Sequence, residues 1–457
     1  MLRWTDNFLR LTPNIAWYCV RLFLGESEEE VHLLAAHQQR LIAAALLLLS
    51  GESSGGGWAH RFPDFSWEAH VDRMYEDEFK LRYRVSSDSF YKLLEILKPE
   101  LDVTSHKHAY WSRSGQPFQL ETRLAVALRF FAGGDPLDLK LIYGMSKAQV
   151  MLCVWRAVDA LNLCLDNINF PIDDVDALKV LEADFRAATR AGFWKGQVGA
   201  IDGVHFKQRC PSEQEVADPM RYYVARKGEF ALLAIAICDY HRRFTWVDIS
   251  HASCTHDATA FEATDLGQRI KRGDLPAPFF LNGDAAFPLS RSMIVPSTGD
   301  ASLDDFDFYQ SSNRMAIECA FGILVRRWGV LWRPLAMAFE RRAPLIVALM
   351  RLHNFCIDER LQAGCEAGLP DIHGKTSEVQ PGRHKPVPRF DKDGRPVHML
   401  DTCRWDTENA PTRAEAAQGP AKAVRRDALA QAIRDAGFVR QVRDNANIVR
   451  RKRGRDA

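Results

Sequence analysis

The chain has 457 residues, of which 47% are hydrophobic and 26% charged, and its formal net charge is +1. These values predict a globular protein of two or three domains and exclude a globally basic nucleic-acid-binding protein, so any DNA-binding charge must be local. The ten cysteines form no Cys-x-x-Cys pair, which argues against a zinc ribbon or a disulfide framework and favours reduced thiols. The most apolar run, 41–49, is too short for a membrane helix, and no signal peptide is recognisable, so a soluble protein is expected.

The first half of the chain is predicted to be helical. Residues 1–60 comprise a helical segment that ends in a Gly/Ser linker at 51–57. Residues 86–162 form a helical module in which a turn at Gly144 is followed by a capping box from Ser146 to its N3 residue, the pattern of a helix-turn-helix. The exposed candidates for phosphate or base contact in this module are Lys147, Gln149 and Arg156. A helical subdomain that only packs, with no DNA contact, is the alternative.

Residues 197–358 have an α/β pattern. Apolar runs predict a short strand at 198–201, a hairpin of strands at 230–238 and 244–249, and another strand at 279–281. Helices are predicted at 257–270, 312–328 and 344–358. The segment 362–457 changes to Pro, Gly and charge, which predicts a low-order linker, a last helix at 422–437 and a basic tail. Between 422 and 457 there are eleven Lys or Arg and four Asp or Glu, a net charge of +7.

Three acidic residues occur at informative places in the α/β region. Asp202 and Asp284 directly follow predicted apolar strands, and Glu318 lies on a predicted helix 34 positions after Asp284. Hard divalent cations prefer oxygen ligands, and phosphodiester cutting uses two such ions about 4 Å apart. The order strand carboxylate, hairpin, strand carboxylate, helix carboxylate therefore predicts an RNase H-like nuclease core with Asp202, Asp284 and Glu318 as catalytic metal ligands.

Asp257 and nearby histidines allow two alternative interpretations of the metal site. Asp257 is a rival for the second aspartate, with His256 as an accessory residue, but its position at a predicted helix start also suits a cap or first-turn charge. His251, Cys254 and His256 lie within six residues and suggest zinc, but no fourth ligand is close in sequence. Asp284 is preferred because Gly283 precedes it and lets the backbone turn sharply beside it.

Several segments resemble motifs of the Harbinger/PIF family of DDE transposases. They are 199–205 (GAIDGVH), 221–228 (RYYVARKG), 256–258 (HDA), 283–289 (GDAAFPL), 313–324 (NRMAIECAFGIL) and 352–354 (LHN). The chain departs from the usual motifs at Cys319, at Phe287 and at Ala285–Ala286, none of which removes a carboxylate. The resemblance covers about 160 residues closely and the helical module loosely.

This resemblance implies a DNA transposase or endonuclease that uses Mg²⁺ or Mn²⁺ to hydrolyse transposon ends and join them to target DNA. It also implies a separate Myb/SANT-like DNA-binding partner, and a homo-oligomer is a further expectation. The basic run at 450–455 predicts nuclear import, and the residues expected to grip phosphates near the site are Arg314, Arg326 and Arg327. The alternatives are a domesticated, inactive nuclear factor that binds DNA or protein, and a different RNase H-like nuclease without a transposition partner.

Overall fold

The computed structural model describes residues 65–102, 118–188, 194–297, 303–363, 389–390, 396–397 and 420–435. The predicted N-terminal segment 1–60 and the basic run at 450–455 therefore lie outside the described residues. Within the segment predicted to be a low-order linker, the described residues include two short paired strands, β7 (Arg389–Phe390) and β8 (Pro396–Val397).

The first described part is a bundle of helices that begins earlier than predicted. Its helices are α1 (Trp67–Val71), α2 (Glu76–Tyr83), α3 (Ser87–Leu101), α4 (Leu120–Phe131), α5 (Pro136–Tyr143), α6 (Lys147–Cys164) and α7 (Val175–Ala188). The apolar stripe of α3, formed by Phe90, Leu93, Leu94 and Leu97, is buried, and the side chain of Ser86 caps its first turn. Trp67 and Phe79 belong to the same core as α3, so the module includes α1 and α2.

The turn and the helix cap on which the helix-turn-helix prediction depends are present between α5 and α6. Gly144 ends α5 in the left-handed region at φ 64°, and both hydrogen bonds of the capping box between Ser146 and Gln149 form. The body of α6 packs against α3, α4, α5 and a later helix, α11 (Phe339–Gln362). The helix that a DNA-binding motif would insert into a groove is thus the centre of the bundle.

The second part is a mixed sheet. Its strands are β1 (Gln197–Lys207), β2 (Tyr223–Val224), β3 (Glu229–Cys238), β4 (Phe244–Asp248), β5 (Phe280–Asn282) and β6 (Met293–Ile294). The order runs β2-β3-β1-β5-β6, with β4 also paired to β3. Neighbours are antiparallel from β4 through β3 to β1, and parallel from β1 through β5 to β6. The hairpin of β3 and β4 is the one predicted from the two apolar runs.

The prediction that β1 ends at Asp202 is wrong, because β1 continues for five more residues. The antiparallel ladder with β3 extends to the pair Lys207–Ala231, and Val204 and Phe206 are buried. Alternating apolar residues after Gly203 sustain the strand. Asp202 therefore lies within a strand and not at its tip.

Helices cover both faces of the sheet and form two hydrophobic clusters. The helix predicted at 257–270 is two helices, α8 (Asp257–Ala263) and α9 (Asp265–Arg272), because Thr264 starts a new helix with its own cap. Helix α10 (Asp304–Arg327) begins earlier than predicted, and a last helix, α12 (Pro420–Asp435), buries Leu429 and Ile433 in the cluster that contains Phe306. Within the described part of the chain, no helix is long and apolar enough to cross a membrane.

Candidate active site

The candidate site lies in a notch where one strand ends and its neighbour continues. The last residue pair between β1 and β5 is Ala200 with Asn282, so beyond Ala200 the edge of β1 that faces β5 is open. Asp202 is the second residue past this point on β1, and Asp284 is the second residue past it on the β5 chain. Parallel strands that part at the same level place both aspartates at one edge of the sheet.

Helix α10 brings a third carboxylate to the notch, together with a cation. Arg314 donates a hydrogen bond from Nη1 to Asp202 Oδ2 over 3.1 Å, and its Nη2 pairs with Glu318 Oε1 over 2.5 Å. The side chains of Asp202 and Arg314 are 8% and 13% exposed, so this ion pair is largely shielded from water. Arg314 and Glu318 are one helical turn apart and therefore face the same side.

A buried amide network sets the position of α10 relative to β5. The Gln310 side chain is fully buried, and its Nε2 donates to Asn282 Oδ1 and to the carbonyl oxygen of Gly283, both at 2.7 Å. Asn282 in turn donates to the carbonyl of Gln310 over 3.0 Å. These bonds join α10, one turn before Arg314, to the two residues that precede Asp284. Gln310 is a positioning residue that the sequence analysis missed, although residues 310, 314 and 318 form a polar row at four-residue spacing.

Asp284 has a well-defined local conformation. Its Oδ1 accepts a hydrogen bond from Ala286 N over 2.9 Å, and its carbonyl accepts from Phe287 N over 3.2 Å. The role predicted for Gly283 needs correction, because its backbone is not in the left-handed region. A side chain there would instead crowd Met293, Phe287 and Ile201 at 3.1–3.3 Å, so glycine provides space under the Asp284 turn.

Asp257 also reaches the notch, from α8. A Cβ atom on Gly203 would lie 2.4–2.9 Å from the three carboxylate atoms of Asp257, so the carboxylate fills the space that a side chain would need. Successive residues of a strand point to opposite faces. Asp257 therefore approaches β1 from the face opposite to the Asp202 side chain. The buried neighbours agree, because Ala200 and Val204 join the cluster of Ile317, whereas Ile201 joins that of Phe261.

The protonation behaviour of the acids reflects burial and mutual repulsion. Burial raises the pKa of Asp202 to about 8, Asp284 and Asp257 add repulsion, and the Arg314 charge opposes the rise. Burial, with repulsion from Asp284, raises the pKa of Asp257 to about 6. Burial also raises the pKa of Asp284, although the backbone donor of Ala286 and the Arg314 charge oppose it. The acids of the notch therefore form a site that demands positive charge.

This donor set fits a hard divalent cation in its chemistry. Carboxylate oxygens are the ligands that Mg²⁺ and Mn²⁺ prefer, and the acids of the notch repel one another, which a bound cation would relieve. The described residues nevertheless contain no preassembled group of three or more His, Cys, Asp or Glu side chains spaced to hold a metal ion. Arg314 lies between Asp202 and Glu318, where a cation would draw the carboxylates together.

Comparison with known proteins gives the family of this segment. A family model described as DDE superfamily endonuclease matches residues 201–354, which include all four acids of the notch. Residues 201–354 are therefore similar to the DDE superfamily endonucleases. The match confirms the family resemblance that the motifs predicted.

The similarity of this chain to known proteins extends beyond residues 201–354. "Putative nuclease HARBI1" of the rat is 25% identical over 300 residues, covering 63% of this chain and 81% of that protein. The human protein of the same name is 24% identical over 300 residues with the same coverage. "Protein ALP1-like" of Arabidopsis thaliana is 23% identical over 334 residues, covering 67% of this chain and 78% of the relative. No solved structure matches the chain significantly.

The Leu-His-Asn motif at the end of residues 201–354 lies on α11 and has a structural role. His353 is fully buried, and its Nε2 lies 2.8 Å from the carbonyl oxygen of Arg242, which is in the left-handed region at φ 72°. Asn354 accepts from Phe244 N over 2.8 Å and donates to the carbonyls of Phe244 and Asn167, each over 2.7 Å. The motif therefore holds the β3–β4 turn. Burial lowers the pKa of His353 to about 3, so it is neutral in the folded protein.

The arginines predicted to grip phosphates have different surroundings. Arg326 is exposed at the end of α10. Arg327 is only 7% exposed and interacts with the Cys356 thiol inside the core, so its side chain does not face solvent, and its contact with DNA stays a prediction. Arg314 faces the acids of the notch and not the surface.

The residues predicted for DNA contact on α6 are only partly accessible. Lys147 is exposed at the start of the helix, whereas Gln149 is engaged in the capping box and Arg156 is half-buried. Contact of this element with DNA stays a prediction.

The histidines near Asp257 do not gather around one point. His256 precedes α8 as its exposed N-cap residue, and its charge lowers the pKa of Asp257. His251 instead contacts Asp248 through Nδ1 over 3.1 Å, and Cys254 is exposed. This arrangement does not support the zinc alternative.

Proposed function

We propose that the chain is a DNA transposase or endonuclease that uses Mg²⁺ or Mn²⁺ held by Asp202, Asp284 and Glu318. The observation that carries the proposal is the bridge of Arg314 between Asp202 and Glu318 at the sheet edge, where Asp284 is close enough to repel both acids. Acids collected at such an edge, against the cost of burying like charges, are typical of a functional site.

The topology supports an RNase H-like core. Three antiparallel strands, β4, β3 and β1, are followed by two strands parallel to β1, and α10 then delivers the last acid. This is the order of strand carboxylate, hairpin, strand carboxylate and helix carboxylate expected from the sequence. The matched DDE family, which is described as an endonuclease family, supports the same reaction class.

The geometry favours Asp284 over Asp257 as the second metal ligand. Asp284 shares the open edge with Asp202 and repels both Asp257 and Glu318. Asp257 approaches from the other face of β1 and packs on Gly203. We assign Asp257 the accessory role of adding negative charge and of buttressing the strand beside Asp202.

The residues of the site would have distinct roles in phosphodiester hydrolysis. Divalent ions, when bound by the three acids, supply the positive charge that hydrolysis requires at the attacking and leaving oxygens of a phosphodiester. Asp202 is held by the β1–β3 ladder and Asp284 by its hydrogen-bonded turn. Gln310 keeps α10, and with it Glu318, in register with the β5 end. Rigid positioning of this kind lets the acids act without reorganisation.

The test is metal-dependent cleavage of duplex DNA by the purified full chain. Asp202→Asn, Asp284→Asn and Glu318→Gln keep the shape of each side chain and remove the ligand charge. Each is expected to abolish cleavage while circular dichroism shows that the variant stays folded, and Asp257→Asn is expected to retain part of the activity. Glu95→Gln, at an exposed acid on α3, is the matched control. Wild-type rates in Glu318→Gln would reject the catalytic assignment.

A second candidate is a transposase-derived factor that binds DNA or protein without catalysis. The observation in its favour is the bridge that Arg314 forms between Asp202 and Glu318, in place of a preassembled metal cluster among the described residues. If DNA binding persists and no cleavage appears with Mg²⁺ or Mn²⁺, this candidate is preferred. Terminal inverted repeats flanking the coding sequence would favour transposition and would provide the specific substrate.

Location and partners belong to the proposal as well. The basic run at 450–455 motivates import into the nucleus, and deletion of 448–457 should move a tagged protein to the cytoplasm. The net charge of +1 is small for a protein that acts alone on DNA, which supports a Myb/SANT-like partner. Co-purification with a candidate of that class, and sedimentation of the chain alone, would test the partner and the homo-oligomer.

A further inference from the structure

The turn between β2 and β3 presents two adjacent cations. Strand β2 pairs with the start of β3, and the turn is closed because the carbonyl of Val224 accepts hydrogen bonds from Lys227 N over 3.0 Å and Gly228 N over 2.9 Å. Gly228 is in the left-handed region at φ 66°, which a residue with a side chain rarely adopts. Arg226 and Lys227 are both exposed at this turn. Their backbone is therefore fixed, while their side chains face solvent.

One segment connects this hairpin to the acids. Cys254 N donates to the carbonyl of Arg221 over 3.0 Å, the carbonyl of Ser253 lies 3.2 Å from His205 Nε2, and Asp257 packs on Gly203. The segment 253–257 thus runs beside β1 from the hairpin to the notch. The charges of Arg226 and Lys227 lower the pKa of Asp257 and that of His205, which places both cations on this side of the sheet.

Two other cations near the hairpin form ion pairs with acids. Lys207 pairs with Glu229 over 2.6 Å, and Arg209 pairs with Glu215 over 3.6 Å. Burial lowers the pKa of His205 to about 4, so that ring is neutral at physiological pH. Among the residues that the structure describes, Arg226 makes no ion pair with an acid. The β2–β3 turn therefore adds positive charge on this side of the notch.

We propose that the β2–β3 turn, through Arg226 and Lys227, binds the phosphate backbone of DNA beside the carboxylate notch. The inference rests on the proposed function and names the element that holds its substrate. From Gly203 to Lys207, β1 spans roughly 13 Å at about 3.3 Å per residue. This length matches about four nucleotide steps at 3.4 Å each. The turn contacts phosphates several nucleotides from the one at the notch, and it reads no base sequence, because cations in a backbone contact recognise charge alone.

The experiment measures binding of the full chain to a random-sequence DNA duplex by fluorescence anisotropy in EDTA, across 50–200 mM salt. Each lost phosphate contact should reduce the slope of log affinity against log salt by about 0.9, so the double variant Arg226→Gln/Lys227→Gln should lower it by about 2. Wild-type affinity should then fall roughly 12-fold more than that of the variant across this range. The exchange Arg226→Lys/Lys227→Arg keeps both charges and should preserve the slope.

Lys98→Gln/Lys179→Gln, at two exposed lysines on α3 and α7, removes the same charge elsewhere and should leave the slope unchanged. An unchanged slope in the turn variant, or an equal fall in this control, would overturn the inference. EDTA prevents metal-dependent cleavage, so the result is independent of catalysis. A reduced slope in a protein that never cleaves DNA would support the turn and reject the proposed enzyme. Cleavage by wild type, with an unaltered slope in the turn variant, would support the proposed enzyme and reject the role of the turn.

Discussion

Replacement of Arg314 by Gln should destabilise the metal-free protein and make it respond more strongly to metal. The change removes the cation that joins Asp202 to Glu318, at side chains of which Asp202 is only 8% exposed. Removing one partner of a buried ion pair typically costs about 3–5 kcal/mol, because the remaining charge keeps its burial without compensation. This cost applies at a pH above the Asp202 pKa of about 8, where that carboxyl is ionised. The larger exposure of Glu318, at 33%, puts the expected loss at the lower end, about 3 kcal/mol.

A divalent cation should reverse this loss. In the wild-type protein an incoming ion must displace Arg314, whereas in Arg314→Gln the carboxylates lack a counter-charge. A ligand that binds only the folded state stabilises it by about 2.7 kcal/mol at one hundred times its dissociation constant. We therefore expect Mn²⁺ to restore most of the stability of the variant and to stabilise wild type much less.

The assay is thermal unfolding in EDTA and in a Mn²⁺ series. For a domain of this size, about 3 kcal/mol corresponds to a melting temperature lower by roughly 6 °C or more. Arg326→Gln, at an exposed arginine on the same helix, is the matched control and should match wild type in both conditions. Equal melting temperatures of Arg314→Gln and wild type in EDTA, or equal gains with Mn²⁺, would refute the reasoning that Arg314 occupies the place of a cation.

Three further changes probe the scaffold of the site. Gly203→Ala should displace the Asp257 carboxylate, which lies 2.4–2.9 Å from the new Cβ, and should reduce cleavage with a loss of about 1–3 kcal/mol. Gly322→Ala is the control, because a Cβ atom at this position would meet no atom within 4 Å. It should keep activity and gain up to about 1 kcal/mol of unfolding free energy in urea titrations. Equal behaviour of the two alanine variants would contradict the packing argument. Gln310→Leu leaves two buried acceptors at the end of β5 without their donor, so we expect a loss of about 1–3 kcal/mol and slower cleavage, and an unaltered rate would remove its positioning role. Burial lowers the pKa of His353 to about 3, so folding loses stability as the pH falls below 6.5, the pKa of this histidine in the unfolded chain. Between pH 6.5 and 5, wild type should therefore lose roughly 2 kcal/mol more unfolding free energy than His353→Gln. Parallel pH profiles of the two proteins would argue against a buried neutral ring.

Elements with strong local signals could be predicted from sequence. The hairpin of β3 and β4 follows from two apolar runs around a polar turn, and the start of α6 follows from its capping box. In both cases the residues that determine the structure are adjacent in the chain. Helices α1 and α2 were not predicted, because short helices gain most of their stability from packing on other elements. Helix α7 was not predicted either, although Leu178, Leu181 and Phe185 form a buried stripe at helical spacing.

The candidate residues of the site could be named from the sequence, but their geometry could not. Asp202 was expected at a strand end, whereas β1 continues and the neighbouring strand β5 stops. Where a strand ends depends on its neighbours, and no local pattern around Asp202 contains that information. Similarly, Arg326 and Arg327 are equivalent in sequence, and only the contact of α10 with the bundle places Arg327 inside.

Asp257 and Asp284 differ in the face of β1 from which they approach Asp202, and this difference is not visible in the local sequence. Asp257 and Asp284 both lie in family-like motifs, and both acids repel Asp202. The distinguishing feature is parity along β1: Asp202 and Gly203 face opposite sides, and Asp257 packs on Gly203. A single residue without a side chain, directly after an acid on a strand, therefore allows a second acid to approach from behind. This arrangement concentrates negative charge at the notch while the front of Asp202 stays available, which is why a cation, Arg314 in this structure, occupies that front.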